Sequence, residues 1–273
     1  MGYSIGAFQS LFLAAQAATN EPSLVKFDRF VAIDSPVNLR YGVTNLDSFY
    51  QGALAWPAAE RTANIENLLL KVAAVSAQAP KKGTPLPFNA LESKFLVGLG
   101  LRLSLRDIIF SSQLRHNQGV LQQPLKKSRR RAAYDEIMQY SFMDYIEKFA
   151  TPYDKTKGID LTDPEVVKKA TNLRVYAAGL QANPNVRVIA NRNDFLLAAD
   201  DLAWIEATFN PSQVKLFEQG GHLGNLFQPE VQEAIIRALD GLGAIQKKSK
   251  TQELHAAGFR EQDISQISSR SGK

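Results

Sequence analysis

The chain has no cysteine among its 273 residues, which excludes disulfides, thiolate catalysis and cysteine-bound zinc. Histidine is scarce, with three residues, so imidazole chemistry falls to His116, His222 or His255. No apolar run is long enough to cross a bilayer as a helix. No basic segment with a cleavage site follows Met1 to mark a secretory signal. Two basic clusters are present, Lys126, Lys127, Arg129, Arg130 and Arg131, then Lys247, Lys248 and Lys250. Neither is interleaved with the aromatics that a base-stacking surface requires. They read as solvated faces, and nucleic acid is not an expected partner.

What remains is the composition of a globular protein, 45% apolar and 22% charged with a net charge of +5. The length suits one large domain, or one domain carrying a substantial insertion. Residues 7–18 (AFQSLFLAAQAA) are apolar nearly all round, the pattern of a helix buried against a sheet. Asn20-Glu21-Pro22 ends that helix. Residues 29–33 (RFVAI) read as a buried strand, stopped by Asp34-Ser35-Pro36. Strand, buried helix and strand in succession are the repeat of a parallel α/β sheet. The repeat returns after Thr162-Asp163-Pro164, a helix start. Residues 186–190 and 214–217 are its later strands. Leu202, Trp204, Ile205 and Phe209 mark the helix between them. Val231, Ile235, Ala238, Leu239 and Leu242 mark the helix after, which Pro229 opens.

Residues 41–153 have a different character. Pro57 suits the first position of a helix with Ile65, Leu68, Leu69, Val72 and Ala73 on one face. Residues 80–87 (PKKGTPLP) are a proline-rich loop, and a second helix covers about 91–113. A third sets Tyr134, Ile137, Met138, Phe142, Tyr145, Ile146 and Phe149 in one stripe. Such a block packs for its own stability, roofs a site with its aromatics lining an acyl or aryl pocket, or does both. Residues 246–273 are polar, lack periodicity and read as a mobile tail.

The chemistry-bearing residues stand where strands end. Gly2-Tyr3-Ser4-Ile5-Gly6 spells Gly-x-Ser-x-Gly just before the first helix. Glycines at both ends of that turn let it push the serine hydroxyl into a site. Asp194 follows the strand at 186–190, and His222 follows the strand at 214–217 through Gly220-Gly221. In an open parallel sheet the strand carboxyl ends share one edge, where ligands gather. A neutral imidazole there accepts the proton of an attacking serine. A buried carboxylate behind the ring fixes its tautomer and stabilises the imidazolium. The developing oxyanion needs fixed donors. The backbone N–H of Ile5 is the natural first one, helped by the N-terminus of the helix. Asp34 also ends a strand and is the alternative acid. Asp200 and Asp201 suit the start of the next helix. His116 and His255 have no strand before them.

This order of Ser, Asp and His, each on its own loop, resembles the α/β-hydrolase superfamily. The resemblance implies Ser4 as nucleophile, His222 as general base and then acid, and Asp194 as the orienting carboxylate. It implies cleavage of a carboxylic ester or lipid through an acyl-enzyme, with no metal or organic cofactor. The implied fold is α/β, a partial hydrolase sheet made of the C-terminal strands with a large helical cap. Residues 1–40 then hold the elbow, a helix and one core strand, and residues 41–160 the cap. Residues 161–245 hold the core with acid and histidine, and residues 246–273 the tail. Complete members have several strands before the elbow and a loop supplying a second oxyanion donor. The expectation is therefore an incomplete chain with no strand before Ser4, an exposed sheet edge and little turnover alone. The alternative is a non-catalytic member of the same fold that binds a protein or an anionic surface through its cap and basic run.

Overall fold

The computed structural model describes residues 1–17, 27–77, 86–128 and 130–240. Arg129, the second basic cluster, His255, the helix stop at 20–22, most of the proline-rich loop, Leu242 and the polar tail lie outside them.

In chain order the elements are β1 (Gly2–Tyr3), α1 (Ile5–Ala17), β2 (Phe30–Ile33), α2 (Leu39–Gln51), α3 (Arg61–Ala77) and α4 (Ala90–Arg115). They continue with α5 (Arg131–Ile137), α6 (Phe142–Tyr145), α7 (Thr151–Lys155), α8 (Pro164–Thr171) and α9 (Ala177–Ala182). The last are β3 (Val186–Asn191), α10 (Ala199–Thr208), β4 (Val214–Phe217) and α11 (Pro229–Leu239). The four strands form one parallel sheet in the order β1-β2-β3-β4. The chain is an α/β protein. Gly2 and Tyr3 do form a strand ahead of Ser4, contrary to the sequence expectation, in the register Gly2↔Ala32 and Tyr3↔Ile33. β1 ends the sheet, and among the described residues no strand lies on its other side.

Two compact units divide the chain. Of the described residues, one comprises those in Met1–Pro36, Tyr176–Asp194 and Leu202–Asp240; the other comprises those in Val37–Val175 and Phe195–Asp201. Helix α8 therefore belongs to the helical unit, whereas the sequence placed the return to the sheet at residue 161.

In the sheet unit, β2 is buried at all four positions, as an interior parallel strand requires. Side chains alternate between faces, so Val31 and Ile33 join Ile189 and the α11 residues Ala234, Ile235 and Ala238 in one cluster. Helix α1 packs on β1 and β2 and buries Ala7, Phe8, Leu11, Ala14 and Ala15, a single helical stripe. Ile5 and Leu13 stay exposed. The helix that read as apolar all round is buried on one side only.

In the helical unit, Asn38 caps α2 by accepting from the N–H groups of Arg40 and Tyr41. Arg102 of α4 meets Asp47 of α2 at 2.7 Å, with both side chains buried. The other Asp47 oxygen accepts the Phe142 N–H at 2.7 Å. Arg102 also donates to the Tyr140 carbonyl and lies over the Tyr50 ring. Burial raises the Asp47 carboxyl above its ordinary range, outweighing the Phe142 N–H and Arg102.

The expected third helix is broken. Helix α5 stops at Ile137, and Ser141 opens α6 with a capping box to Asp144. A π-turn at Ile146–Ala150 then leads into α7. Tyr134, Ile137, Phe142, Tyr145 and Phe149 nonetheless share one core with Leu105, Ile109 and Phe110 of α4. Leu69, expected on the buried face of α3, is exposed, while Leu68 and Ile65 pack with Phe95.

Candidate active site

Ser4 sits between β1 and α1 with φ 51°, a left-handed conformation that is unfavourable for a residue with a side chain. Its own N–H donates to the Ile33 carbonyl at 3.0 Å, extending the ladder by one rung. Its carbonyl accepts from Ala7 and Phe8, at 2.9 and 3.1 Å, locking the turn to the first turn of α1. A Cβ on Gly2 would lie 2.0 Å from the Gly6 carbonyl oxygen, so only glycine fits there. At Gly6 a Cβ would meet nothing within 4 Å among the described residues. Only the first of the two elbow glycines is demanded sterically.

Asp194 lies just past β3, its N–H bonded to the Asn191 carbonyl at 3.1 Å, and its side chain is fully buried. His222 lies past β4 in the turn after Gly220-Gly221, and Gly221 has φ 59°. The imidazole bridges the two other residues. Its Nδ1 is 2.9 Å from Asp194 Oδ2, and its Nε2 is 2.8 Å from Ser4 Oγ. A ring donating from Nδ1 to the carboxylate presents its Nε2 lone pair to the hydroxyl, which is the neutral tautomer a general base needs. Ile5 is the first residue of α1. Its amide N–H has no carbonyl partner within its own helix and stands at the positive end of the helix dipole.

Asp34 is brought to the same rim but turned to other partners. Oδ1 accepts the Asn191 backbone N–H at 3.1 Å and the Asn191 amide at 3.2 Å. Oδ2 accepts that amide at 3.1 Å and the Leu223 N–H at 2.9 Å. Burial pushes its carboxyl up to about 6. The Leu223 and Asn191 N–H groups oppose that rise, as does His222, while the Asp194 charge adds to it.

The asparagines of this rim, Asn191, Asn193 and Asn225, carried no expected role. Asn191 donates to the Gly221 carbonyl at 2.9 Å and receives the Asn225 amide at 2.6 Å. Asn193 accepts the Gly221 N–H at 2.8 Å. The available signal was a polar residue closing an apolar strand, Asn191, and an asparagine three residues after the histidine. Of the other residues considered, Asp201 accepts the Ala198 N–H at 3.0 Å at the start of α10. His116 packs against the Tyr153 ring. Among the described residues no group of three or more His, Asp or Glu is placed to hold a metal ion, and no helix is long and apolar enough to cross a membrane.

Compared with known proteins, the chain matches no family model, no curated protein and no solved structure.

Proposed function

We propose that the chain is a serine hydrolase of the α/β-hydrolase kind that cleaves an ester-like bond through an acyl-enzyme. The observation that carries this reading is the continuous relay from Ser4 Oγ through His222 to the buried Asp194 carboxylate, with contacts of 2.8 and 2.9 Å. Its order along the chain, one member after each of β1, β3 and β4, is the order of that superfamily.

In this mechanism the Ser4 oxygen attacks the ester carbonyl while His222 Nε2 takes its proton. The carbonyl oxygen becomes an oxyanion, and the Ile5 N–H at the head of α1 is the donor nearest in sequence to it. Asp194 keeps the imidazole in its tautomer and offsets its positive charge as the proton arrives. The same proton then passes from Nε2 to the leaving alcohol, which departs and leaves Ser4 acylated. Water deprotonated by His222 attacks the acyl carbon, releases the acid and restores the serine. Tyr3 and Ile5, the neighbours of Ser4 in sequence, are 40% and 52% exposed. Apolar ground beside the nucleophile suits an acyl or aryl group better than a charged one.

A fluorophosphonate probe reads the nucleophilicity of the serine directly. Mass spectrometry is expected to find the adduct on Ser4 in the wild-type chain and none in Ser4→Ala. Equal labelling of the two, or an adduct on another residue, refutes the reading.

A further inference from the structure

Three non-glycine residues among those described have positive φ: Ser4 at 51°, Asp34 at 47° and Leu223 at 60°. All three lie at the carboxyl rim of the sheet, and strain gathered in one place is a mark of a functional site. Ser4 has its explanation as the nucleophile turn. Leu223 is the more unusual, because leucine has no polar side chain to compensate for a left-handed backbone. It directly follows His222, so a shift of its backbone would carry His222 with it.

We propose that Asp34 is the positioning residue of this histidine loop, its carboxylate holding the strained Leu223 backbone so that His222 stays between Ser4 and Asp194. The proposal rests on the serine-hydrolase reading above. Its geometry brackets the histidine from both sides. On one side the Leu223 N–H donates to Asp34 Oδ2 at 2.9 Å. On the other the Gly221 carbonyl accepts from Asn191 Nδ2 at 2.9 Å, and that same amide group donates to both Asp34 oxygens. Asn225 closes the knot through Asn191 and the Gln219 carbonyl. A Cβ on Gly220 would fall 2.3 Å from Asn191 Oδ1, so the loop is drawn tight against this cluster.

Asp34 has no helix-capping task to explain its burial, since Asn38 caps α2. Among the described residues, every donor that its carboxylate takes is a neutral amide. The ionisable groups facing it are Asp194 from the loop after β3 and His222 from the loop after β4. Its negative charge is therefore directed at the ring that becomes positive during attack. The ionised carboxylate accepts at both oxygens with no hydrogen of its own, and burial holds its titration at about 6. Once protonated, one oxygen carries a hydrogen that faces N–H donors, and the hold on the loop slackens.

The test is the rate of fluorophosphonate labelling of the full chain against pH for the wild type, Asp34→Asn, Asp194→Asn and His222→Ala. Asp34→Asn is expected to lower the plateau rate between about 10- and 100-fold, as misplacement of a reacting group does. It is also expected to move the acid limb to lower pH, because one negative charge beside the imidazolium is gone. A purely architectural side chain would lower the plateau without moving the limb, and an unchanged plateau and limb likewise overturn the proposal. Labelling lost in Asp34→Asn but kept in Asp194→Asn would make Asp34 the orienting acid itself and also overturn it. His222→Ala separates the two readings, since wild-type labelling of that variant defeats the hydrolase mechanism instead. Should Asp34→Asn not fold, amide exchange of the 219–225 segment in the wild type decides the matter. Protection of this segment relative to the rest of the sheet unit, corrected for intrinsic exchange, is expected to weaken as pH falls through about 6, because the Leu223 N–H favours the ionised form while burial favours the protonated one; relative protection independent of pH refutes the proposal.

Discussion

Each unit of the chain buries an aspartate at a point where distant segments meet, and the two are satisfied by different kinds of partner. Asp47 in the helical unit faces the Arg102 guanidinium at 2.7 Å and a backbone N–H. Among the described residues, Asp34 at the sheet rim takes hydrogen bonds from amide donors alone, with Asp194 and His222 as electrostatic neighbours. A buried charge held by an opposite charge joins helices firmly, and removing one partner leaves the other stranded. A buried charge held only by dipoles remains responsive to protons and to a neighbouring imidazole. The helical unit is built to keep its shape. The rim of the sheet, with its three left-handed residues, holds unfavourable geometry where chemistry is proposed to happen.

That contrast predicts which changes disturb chemistry and which disturb stability. The largest effect belongs to the rim. His222→Ala is expected to cut fluorophosphonate labelling about a thousand-fold or more, with a melting temperature within a few degrees of the wild type by calorimetry. Gly2→Ala joins it, because the new Cβ falls 2.0 Å from the Gly6 carbonyl oxygen and distorts the turn under Ser4. Next comes Arg102→Met, expected to cost about 3–5 kcal/mol in urea unfolding by stranding Asp47. It should leave the labelling rate per folded molecule unchanged. A large labelling defect in Arg102→Met, at full folding, would break the contrast.

The Asp34 charge sharpens it through pH. Between about 4 and 6 the folded chain keeps a proton on Asp34 that the unfolded chain has released. Stability therefore falls as pH rises through that window, by about 3 kcal/mol. Asp34→Asn should flatten that part of the curve, measured by urea midpoints at successive pH values. The smallest effect is expected at Gly6→Ala, within about 1 kcal/mol of wild type, since alanine suits a helix and finds open space there. Labelling should survive it.

Much of the sheet was legible because parallel strands advertise themselves as short apolar runs closed by polar residues. β4 falls on residues 214–217 as read, and β3 extends the reading by Asn191 alone. The geometric convergence of Ser4, Asp194 and His222 follows from that, since each stands just past a strand. Helix α2 was not legible, because the residues it buries are Gly42 and Asp47, neither of which registers as apolar periodicity. The pairing of Asp47 with Arg102 joins positions far apart in sequence and leaves no local signal. The break at Ser141 was written in the chain as Ser-x-x-Asp, but the aromatic spacing on either side masked it. Asp34 stayed ambiguous for a different reason. Its side-chain direction depends on a positive φ that no pattern of residue types announces.

The place of Ser4 on the β1–β2 ladder has a mechanical consequence. The serine oxygen stands just past β1, with the Ser4 N–H as the last rung of the ladder to β2. Sliding β1 by a single step would carry the hydroxyl about 3.3 Å along the sheet and turn every side chain of the strand to the opposite face. His222 and Asp194 would still be aligned with each other, but aimed at an empty place. The alignment of three loops thus hangs on the register of one strand pair.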